Sequence, residues 1–161
     1  MSDTAAELIR RLDLAPHPEG GHYREIYRSV LTVTPADGRG SRNALTTIYF
    51  LLRSGDISRW HRVRSEEVWH FYAGGTLELL FASADFADIE VMRLDAFGAG
   101  ATPVAIVPAG HWQAARPLSE YALVGCTVGP GFAFEDFVML RNDPDACALL
   151  EHRHPSLLQY A

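Results

Sequence analysis

The sequence predicts an all-β fold of the sandwich or barrel type. Short apolar or alternating runs recur along the chain at regular spacing, and turns containing Gly and Pro separate them. The chain has 161 residues, of which 48% are hydrophobic, and this suits one globular domain with its own core. We therefore expect a single domain over residues 1–161, built mostly of strands.

A helix and a turn are expected at the start of the chain. A capping-box pattern at residues 4–7 precedes apolar residues at helical spacing, which predicts a short helix over about Asp3–Asp13. Pro16 and Pro18 end this helix, and Gly20–Gly21 turns the chain.

The strands that follow are predicted from β-branched, aromatic and alternating runs between turn residues. We expect them at His22–Ser29, Ala44–Arg53, Arg59–Val63, Glu67–Tyr72, Thr76–Ala82, Ile89–Leu94, Val104–Val107, Trp112–Ala115, Ser119–Val128 and Phe132–Arg141. The tail from Asp143 is more helical in composition, and Ala146–Leu150 is a candidate turn of helix.

The stretch Gly55–Gly74 contains the residues best suited to chemistry. Alternation along a strand places Arg59 and His61 on one face of the first run, and Glu67 and Trp69 on one face of the second. If these faces coincide, an imidazole and a carboxylate share one space with aromatic walls. Such a pair suits a metal site, or a general base with its orienting acid.

The spacing of this stretch resembles the first signature of the cupin superfamily. That signature has Gly, five residues, His, one residue, His, three or four residues, Glu, six residues and Gly. Gly55, His61, Glu67 and Gly74 fall on this pattern, whereas Val63 holds the position of the second His. The second signature, Pro, one residue, Gly, two residues and His, is matched at 108–113 with Gln113 in place of the His.

Other segments resemble a small single-domain cupin family of unknown function, here called the PHPEGG cupins. They are PHPEGGHYREIYRS, TTIYFLL, WHRVRSEEVWHFYAG, VPAGHWQAA and VGPGFAFEDF. The resemblance covers roughly Leu12–Met139 and implies a double-stranded β-helix, or jelly-roll barrel, with a short N-terminal helix and a short helical tail.

The resemblance also implies an incomplete metal set. Only His61 and Glu67 are good ligands, and Gln113 would add a weak neutral oxygen if a metal binds. Because tight transition-metal sites use three or four protein ligands, we expect no obligatory cofactor. Weak occupancy by a divalent metal (Ni, Zn, Mn or Fe) remains open.

We therefore predict His61 and Glu67 as catalytic residues. Further ligand-binding candidates are Tyr23, Tyr49, Arg59, Trp69 and Gln113. Arg59 either binds an anionic substrate or is a solvated surface residue, and Trp69 is either a ligand platform or part of the core. Tyr49 or Tyr23 would supply an acid opposite the imidazole.

Three functions follow. The first is a small-molecule site without metal that epimerises or isomerises a sugar-like or polar carbonyl compound, similar to the cupin epimerases of keto-sugar nucleotides. The second is ligand binding without chemistry. The third, which has less support, is a metal-dependent dioxygenase or isomerase.

The composition of the chain indicates which kinds of partner and which cellular compartment to expect. A net charge of -6 argues against nucleic acid, and no apolar run is long enough to span a bilayer. The N-terminus lacks an export signal, and Cys126 and Cys147 lack zinc or redox spacing, so we expect a reducing, cytoplasmic compartment. We expect a homodimer in which the strand His22–Ser29 adds to a partner sheet.

Overall fold

Two antiparallel sheets form the body of the protein in a computed structural model, which describes residues 4–98 and 100–161. The strands, in chain order, are β1 Ala15–Pro16, β2 His22–Arg28, β3 Thr32–Val33, β4 Arg42–Asn43, β5 Thr46–Arg53, β6 Ser58–Val63, β7 Glu66–Gly74, β8 Leu77–Ala82, β9 Ile89–Leu94, β10 Val104–Val107, β11 Trp112–Pro117, β12 Tyr121–Gly129 and β13 Phe137–Met139.

The strand order is that of a jelly-roll barrel, as predicted. The larger sheet has the order β1-β2-β5-β12-β7-β10, and the smaller has β13-β6-β11-β8-β9, while β3 and β4 form a separate ribbon. The two strands of the central motif, β6 and β7, belong to different sheets. They therefore face each other across the barrel instead of pairing side by side, and their inward faces coincide.

The core between the sheets is apolar and largely aromatic or aliphatic. Trp69 on β7 packs edge-to-face on Phe50 of β5, with ring centroids 5.9 Å apart. Leu79 and Phe81 on β8 and Val124 on β12 are buried in the same cluster. This packing joins the two sheets through one continuous apolar cluster.

Helices cover the outer faces of both sheets. Helix α1 (Thr4–Arg11) buries Ala5 in a cluster with Leu51 and Leu123 of the larger sheet. Helix α2 (Pro144–Arg153) and the 3-10 helix Pro155–Tyr160 pack on the smaller sheet. Within the described part of the chain, no helix is both long enough and apolar enough to cross a membrane.

The segment after β12 differs from its prediction as one long strand over Phe132–Arg141. It consists of the 3-10 helix Phe134–Asp136, the short strand β13 and the 3-10 helix Leu140–Asn142. The first 3-10 turn brings the buried Asp136 carboxylate to the guanidinium of Arg42, whose Nε donates to it at 2.9 Å. This ion pair, which strand pairing would not provide, explains the break in the strand.

Candidate functional site

A cavity of about 440 Å³ lies at one end of the barrel, between the two sheets. Aromatic side chains form much of its wall: Tyr23 of β2, and Phe132, Phe134 and Phe137 of the segment after β12. Its most buried polar lining residues are His17, Glu19, Thr46, His61, Glu67 and Cys126. An apolar cavity with a few converging polar groups is the usual form of a small-molecule site.

His61 and Glu67 reach this cavity from opposite sheets. His61 lies on β6 and is 2% exposed, and Glu67 begins the inward face of β7 and is 7% exposed. Burial lowers the pKa of His61, although the nearby Glu67 opposes this effect. Burial also raises the pKa of Glu67 to about 7, against the opposing charge of His61. The motif strands thus bring the two residues together, as their spacing predicts.

Glu19 joins them from the PHPEGG segment, which has little regular structure. Its backbone carbonyl accepts from Arg59 N–H at 2.8 Å, which attaches the segment to β6. Gly20 follows with φ +112°, and a Cβ at this position would collide with the backbone carbonyl of Ile57. Only glycine fits so close an approach, and the result is that the neighbouring Glu19 side chain turns into the barrel.

The hydrogen bonds of His61 define its tautomer. Its Nδ1 lies 2.7 Å from the carbonyl oxygen of Arg59, which can only accept, so Nδ1 carries a proton. In the neutral ring Nε2 is then an acceptor, and it lies 3.1 Å from Oε2 of Glu19. Burial raises the pKa of Glu19 to about 8, although Ser58 Oγ donates to its other oxygen at 2.8 Å. Glu19 is therefore a neutral acid that donates to His61.

His17 completes this side of the site. Its Nδ1 accepts from the backbone N–H of Glu19 at 3.2 Å and lies 3.4 Å from Oε2 of the same residue. Burial, with help from His61, lowers the pKa of His17 to about 3, so the ring is neutral. Glu19 thus faces two imidazole lone pairs, and this is the arrangement expected for a protonated carboxyl.

Glu67 is surrounded by hydrogen-bond donors, in contrast to Glu19, which faces acceptor nitrogens. The Nε1–H of Trp69 donates to Gln113 Oε1 at 2.9 Å, and this fixes the orientation of the Gln113 amide. The Nε2 of Gln113 consequently donates to Oε2 of Glu67. Cys126 forms a further hydrogen bond to Glu67, and the pKa of the Cys126 thiol is raised by burial and by that carboxylate. Glu67 therefore faces donors, which favour its ionised form.

The remaining predicted ligand-binding residues lie in several places. Tyr23 lines the cavity, whereas Trp69 and Gln113 are fully buried behind Glu67 and position it. Tyr49 lies on the opposite face of β5 from the lining residue Ile48 and packs in the cluster beneath α1, so its predicted place in the pocket is wrong.

Arg59 also lies outside the cavity lining, contrary to the parity argument. Gln113 of β11 pairs with His61, but Ala115 pairs with Ser58, so two residues of β6 lie opposite Ala114. This β-bulge breaks the alternation between Arg59 and His61. The Arg59 guanidinium instead lies along the backbone of Glu19, with Nη1 3.5 Å from its carbonyl oxygen.

The sequence predicts Glu67 as the residue that orients His61 and assigns no role to Glu19. The hydrogen bonds at the His61 ring go to Glu19 and to the Arg59 carbonyl. The signal that could have found Glu19 is its position between Pro18 and Gly20 in a segment already singled out by resemblance. A buried acid in an irregular segment has no periodicity from which to predict its direction.

The donors at the usual cupin metal position do not fit a tightly bound metal. Val63 lines the cavity without offering a ligand atom, and the Gln113 oxygen is already occupied by Trp69 N–H. Over residues 4–98 and 100–161, no group of three or more His, Cys, Asp or Glu side chains is arranged to hold a metal ion. A tight site normally needs three or four such ligands.

Comparison with known proteins assigns the family. The model of a family described as cupin superfamily (DUF985) matches residues 6–140, and the chain belongs to this family. A protein from Shewanella oneidensis is 34% identical, with a TM-score of 0.83 over 97% of this chain and 95% of that one. A hypothetical protein from Leishmania major is 31% identical, with a TM-score of 0.80 over 92% and 97% of the two chains.

A more distant structure shares the fold alone. Oxalate decarboxylase from Bacillus subtilis is 18% identical, with a TM-score of 0.58 over 80% of this chain and 30% of that one. Mn(II) centres are described for that enzyme. No protein of curated function matches the sequence. The family and the fold are thus established, and the activity has to be argued from the site.

Proposed function

We propose that this protein is a small-molecule-binding cupin that isomerises or epimerises a sugar-like or polar carbonyl compound by proton transfer, without a metal. The observation that supports this proposal is the convergence of His61, Glu67 and Glu19 on one cavity with aromatic walls. The two carboxyls have different partners, because Glu19 lies beside imidazole nitrogens and Glu67 beside hydrogen-bond donors, and such a difference is the usual pattern of an acid and a base sharing one site.

The proposed roles follow from the hydrogen bonds. Glu67, held by donors, takes a proton from the carbon next to the substrate carbonyl. Glu19 and His61 share a proton along the 3.1 Å contact between Oε2 and Nε2, and this pair gives a proton to the substrate. Tyr23, which lines the same cavity, is the remaining tyrosine that could donate a proton.

Hydrogen exchange at a substrate carbon tests this proposal. The protein is incubated in D2O with a panel of keto-sugars and other polar carbonyl compounds, and proton NMR follows the loss of the signal at the carbon next to the carbonyl. We expect exchange with at least one compound, and a loss of roughly 10²-fold or more in Glu67→Gln. Glu66→Gln, an exposed neighbour on the same strand, is the matched control and should retain the rate.

Ligand binding without chemistry is the second candidate. It is favoured by the two hydrogen bonds of His61, because both ring nitrogens already have protein partners. A compound that binds by calorimetry but shows no exchange would support this candidate and contradict the isomerase. Near-stoichiometric Ni, Zn, Mn or Fe in the purified protein, lost in His61→Ala, would instead support a metal-dependent dioxygenase or isomerase.

The homodimer and the compartment are part of the same proposal. Strand β1 pairs with β2 only at His22 and Tyr23, so among the described residues the rest of this edge, 24–28, lacks a neighbouring strand on that side. A second copy that paired there would cover the edge. A monomer by light scattering at micromolar concentration would contradict the dimer. The two free thiols, Cys126 and Cys147, fit a reducing cytoplasm.

A further inference from the structure

Acidic and imidazole side chains lie deep in the cavity, whereas its arginines lie at the mouth. Glu19, His61 and Glu67 are less than a tenth exposed, whereas the lining arginines, Arg24 and Arg28, are exposed. Among the described lining residues, cationic side chains are therefore confined to the mouth. At the deep end, the described lining residues include no Lys or Arg side chain that could bind a negatively charged ligand.

At the mouth, Arg24 makes one hydrogen bond, from Nη1 to the Leu12 carbonyl at 3.2 Å, whereas Arg28 has few free donors. Arg28 makes two hydrogen bonds of 2.8 Å to the carboxylate of Glu25, and its Nη1 donates to Asn43 at 2.9 Å and to the Phe132 carbonyl at 3.1 Å. These bonds occupy most of its donors. Arg28 therefore holds the aromatic wall in place and is poorly available to a ligand.

Hydrogen-bond donors at the deep end are mostly used within the protein. The Ser58 hydroxyl donates to Glu19, the Gln113 amide to Glu67, and His61 Nδ1–H to a backbone carbonyl. The one imidazole proton left is on Nε2 of His17, because its Nδ1 accepts from Glu19 N–H. The polar atoms that remain toward the cavity are chiefly carboxyl oxygens, which accept hydrogen bonds.

The wall of the cavity favours a positive or weakly polar ligand as well. The rings of Phe132, Phe134 and Phe137 pack edge-to-face with centroids 5.1 to 6.1 Å apart, and Tyr23 lies in the same lining. Aromatic rings attract cations and lie against sugar-like rings, whereas they offer no charge to an anion. Carboxyl oxygens at the deep end and aromatic rings along the wall thus favour the same ligand chemistry.

We propose that the deep end of this cavity takes a head group that donates hydrogen bonds, best of all an amine, and rejects carboxylate and phosphate. An ammonium group supplies several hydrogen-bond donors and a positive charge to the carboxylate of Glu67, whose hydrogen-bond partners in the described part of the chain are the neutral Gln113 amide and the Cys126 thiol. A carboxylate would place acceptors against acceptors. This inference rests on the proposed function in taking the same cavity as the ligand site, and it narrows the substrate to an amine-bearing or hydroxyl-rich compound.

Three sugars of one size test the inference by isothermal titration calorimetry: glucosamine, glucose and glucuronate. At pH 7 we expect the order glucosamine, then glucose, then glucuronate, with at least tenfold between the amine and the acid. Fragment-sized ligands bind with roughly millimolar Kd, so titration to about 20 mM is sufficient. Glucuronate binding as tightly as glucosamine, or no binding of glucosamine at this concentration, would overturn the inference.

Isosteric variants locate the effect. Glu67→Gln should remove most of the preference for the amine, about tenfold, while leaving glucose within a factor of about three. Glu66→Gln makes the same change in net charge on the exposed face of β7 and should leave all three affinities unchanged. An equal loss in both variants would mean that long-range charge, and not the cavity, selects the amine, and the inference would fail.

These outcomes are separate from those of the exchange experiment. Amine-selective binding that depends on Glu67, without exchange at any substrate carbon, would retain the ligand class and remove the isomerase. Hydrogen exchange that depends on Glu67, on a substrate that places a carboxylate at the deep end of the cavity, would support the isomerase and contradict the proposed ligand class.

Discussion

Replacing Glu19 by glutamine should make the protein less sensitive to alkaline pH. The folded pKa of Glu19 is raised to about 8 from an ordinary value of 4.5. Between these values the unfolded chain releases a proton that the folded protein retains. The unfolded state then binds fewer protons, so the free energy of unfolding falls as the pH rises and the stabilisation is lost above about pH 8.

The size of the effect follows from the shift. Each pH unit in this window lowers the free energy of unfolding by about 1.4 kcal/mol, so a shift of about three and a half units corresponds to about 5 kcal/mol. Glutamine reproduces the neutral acid: its amide nitrogen donates to Nε2 of His61, and its oxygen accepts from Ser58. Glu19→Gln should therefore match the parent protein near pH 5 and exceed its stability by about 3 to 5 kcal/mol near pH 9.

Urea denaturation of both proteins at intervals from pH 5 to pH 9 measures this difference. Glu66→Gln, which changes an exposed carboxylate, controls for net charge and should follow the parent protein. A difference between Glu19→Gln and parent that stays constant across the range would refute the argument. It would mean that Glu19 is ionised in the folded protein, as in an ion pair with a protonated His61.

Two further substitutions test how the site is held. Gln113→Leu leaves the buried Trp69 N–H unpaired and Glu67 without its amide donor, so we expect a loss of about 2 to 4 kcal/mol of stability by denaturant titration; an unchanged midpoint would contradict this hydrogen-bond chain. Gly20→Ala introduces a Cβ against a backbone carbonyl at positive φ and should lower Tm by roughly 4–8 °C, whereas Gly38→Ala, also at positive φ but in open space, should lower it less. Equal effects of the two alanines would argue against the close packing of the PHPEGG segment.

Much of the barrel and half of the site were predictable because alternation along a strand is a local property. The strands Ile89–Leu94 and Val104–Val107 begin and end where the sequence predicts, between clear turn residues. His61 and Glu67 share one interior because each keeps the parity of its own strand and a short turn carries the chain from one sheet to the other.

Strand alternation predicts the wrong face for two residues, Tyr49 and Arg59, because the alternation is ambiguous in β5 and interrupted in β6. Tyr49 lies on β5, which is covered by the barrel core on one face and by α1 on the other. When both faces are covered, apolar residues no longer mark the inward side. Arg59 was misplaced by a bulge, which depends on how β6 pairs with β11 and leaves no mark in the sequence of β6 alone.

The sequence by itself determined the cupin family, the jelly-roll barrel and the pair His61 and Glu67, because turns, alternation and motif spacing act over a few residues. Only the tertiary structure decided that Glu19 forms a hydrogen bond with His61, and that the buried Gln113 donates a hydrogen bond to Glu67. Those contacts join segments far apart in the chain. Hydrogen bonds between distant buried groups depend on the packing that brings them together, and no local pattern encodes them.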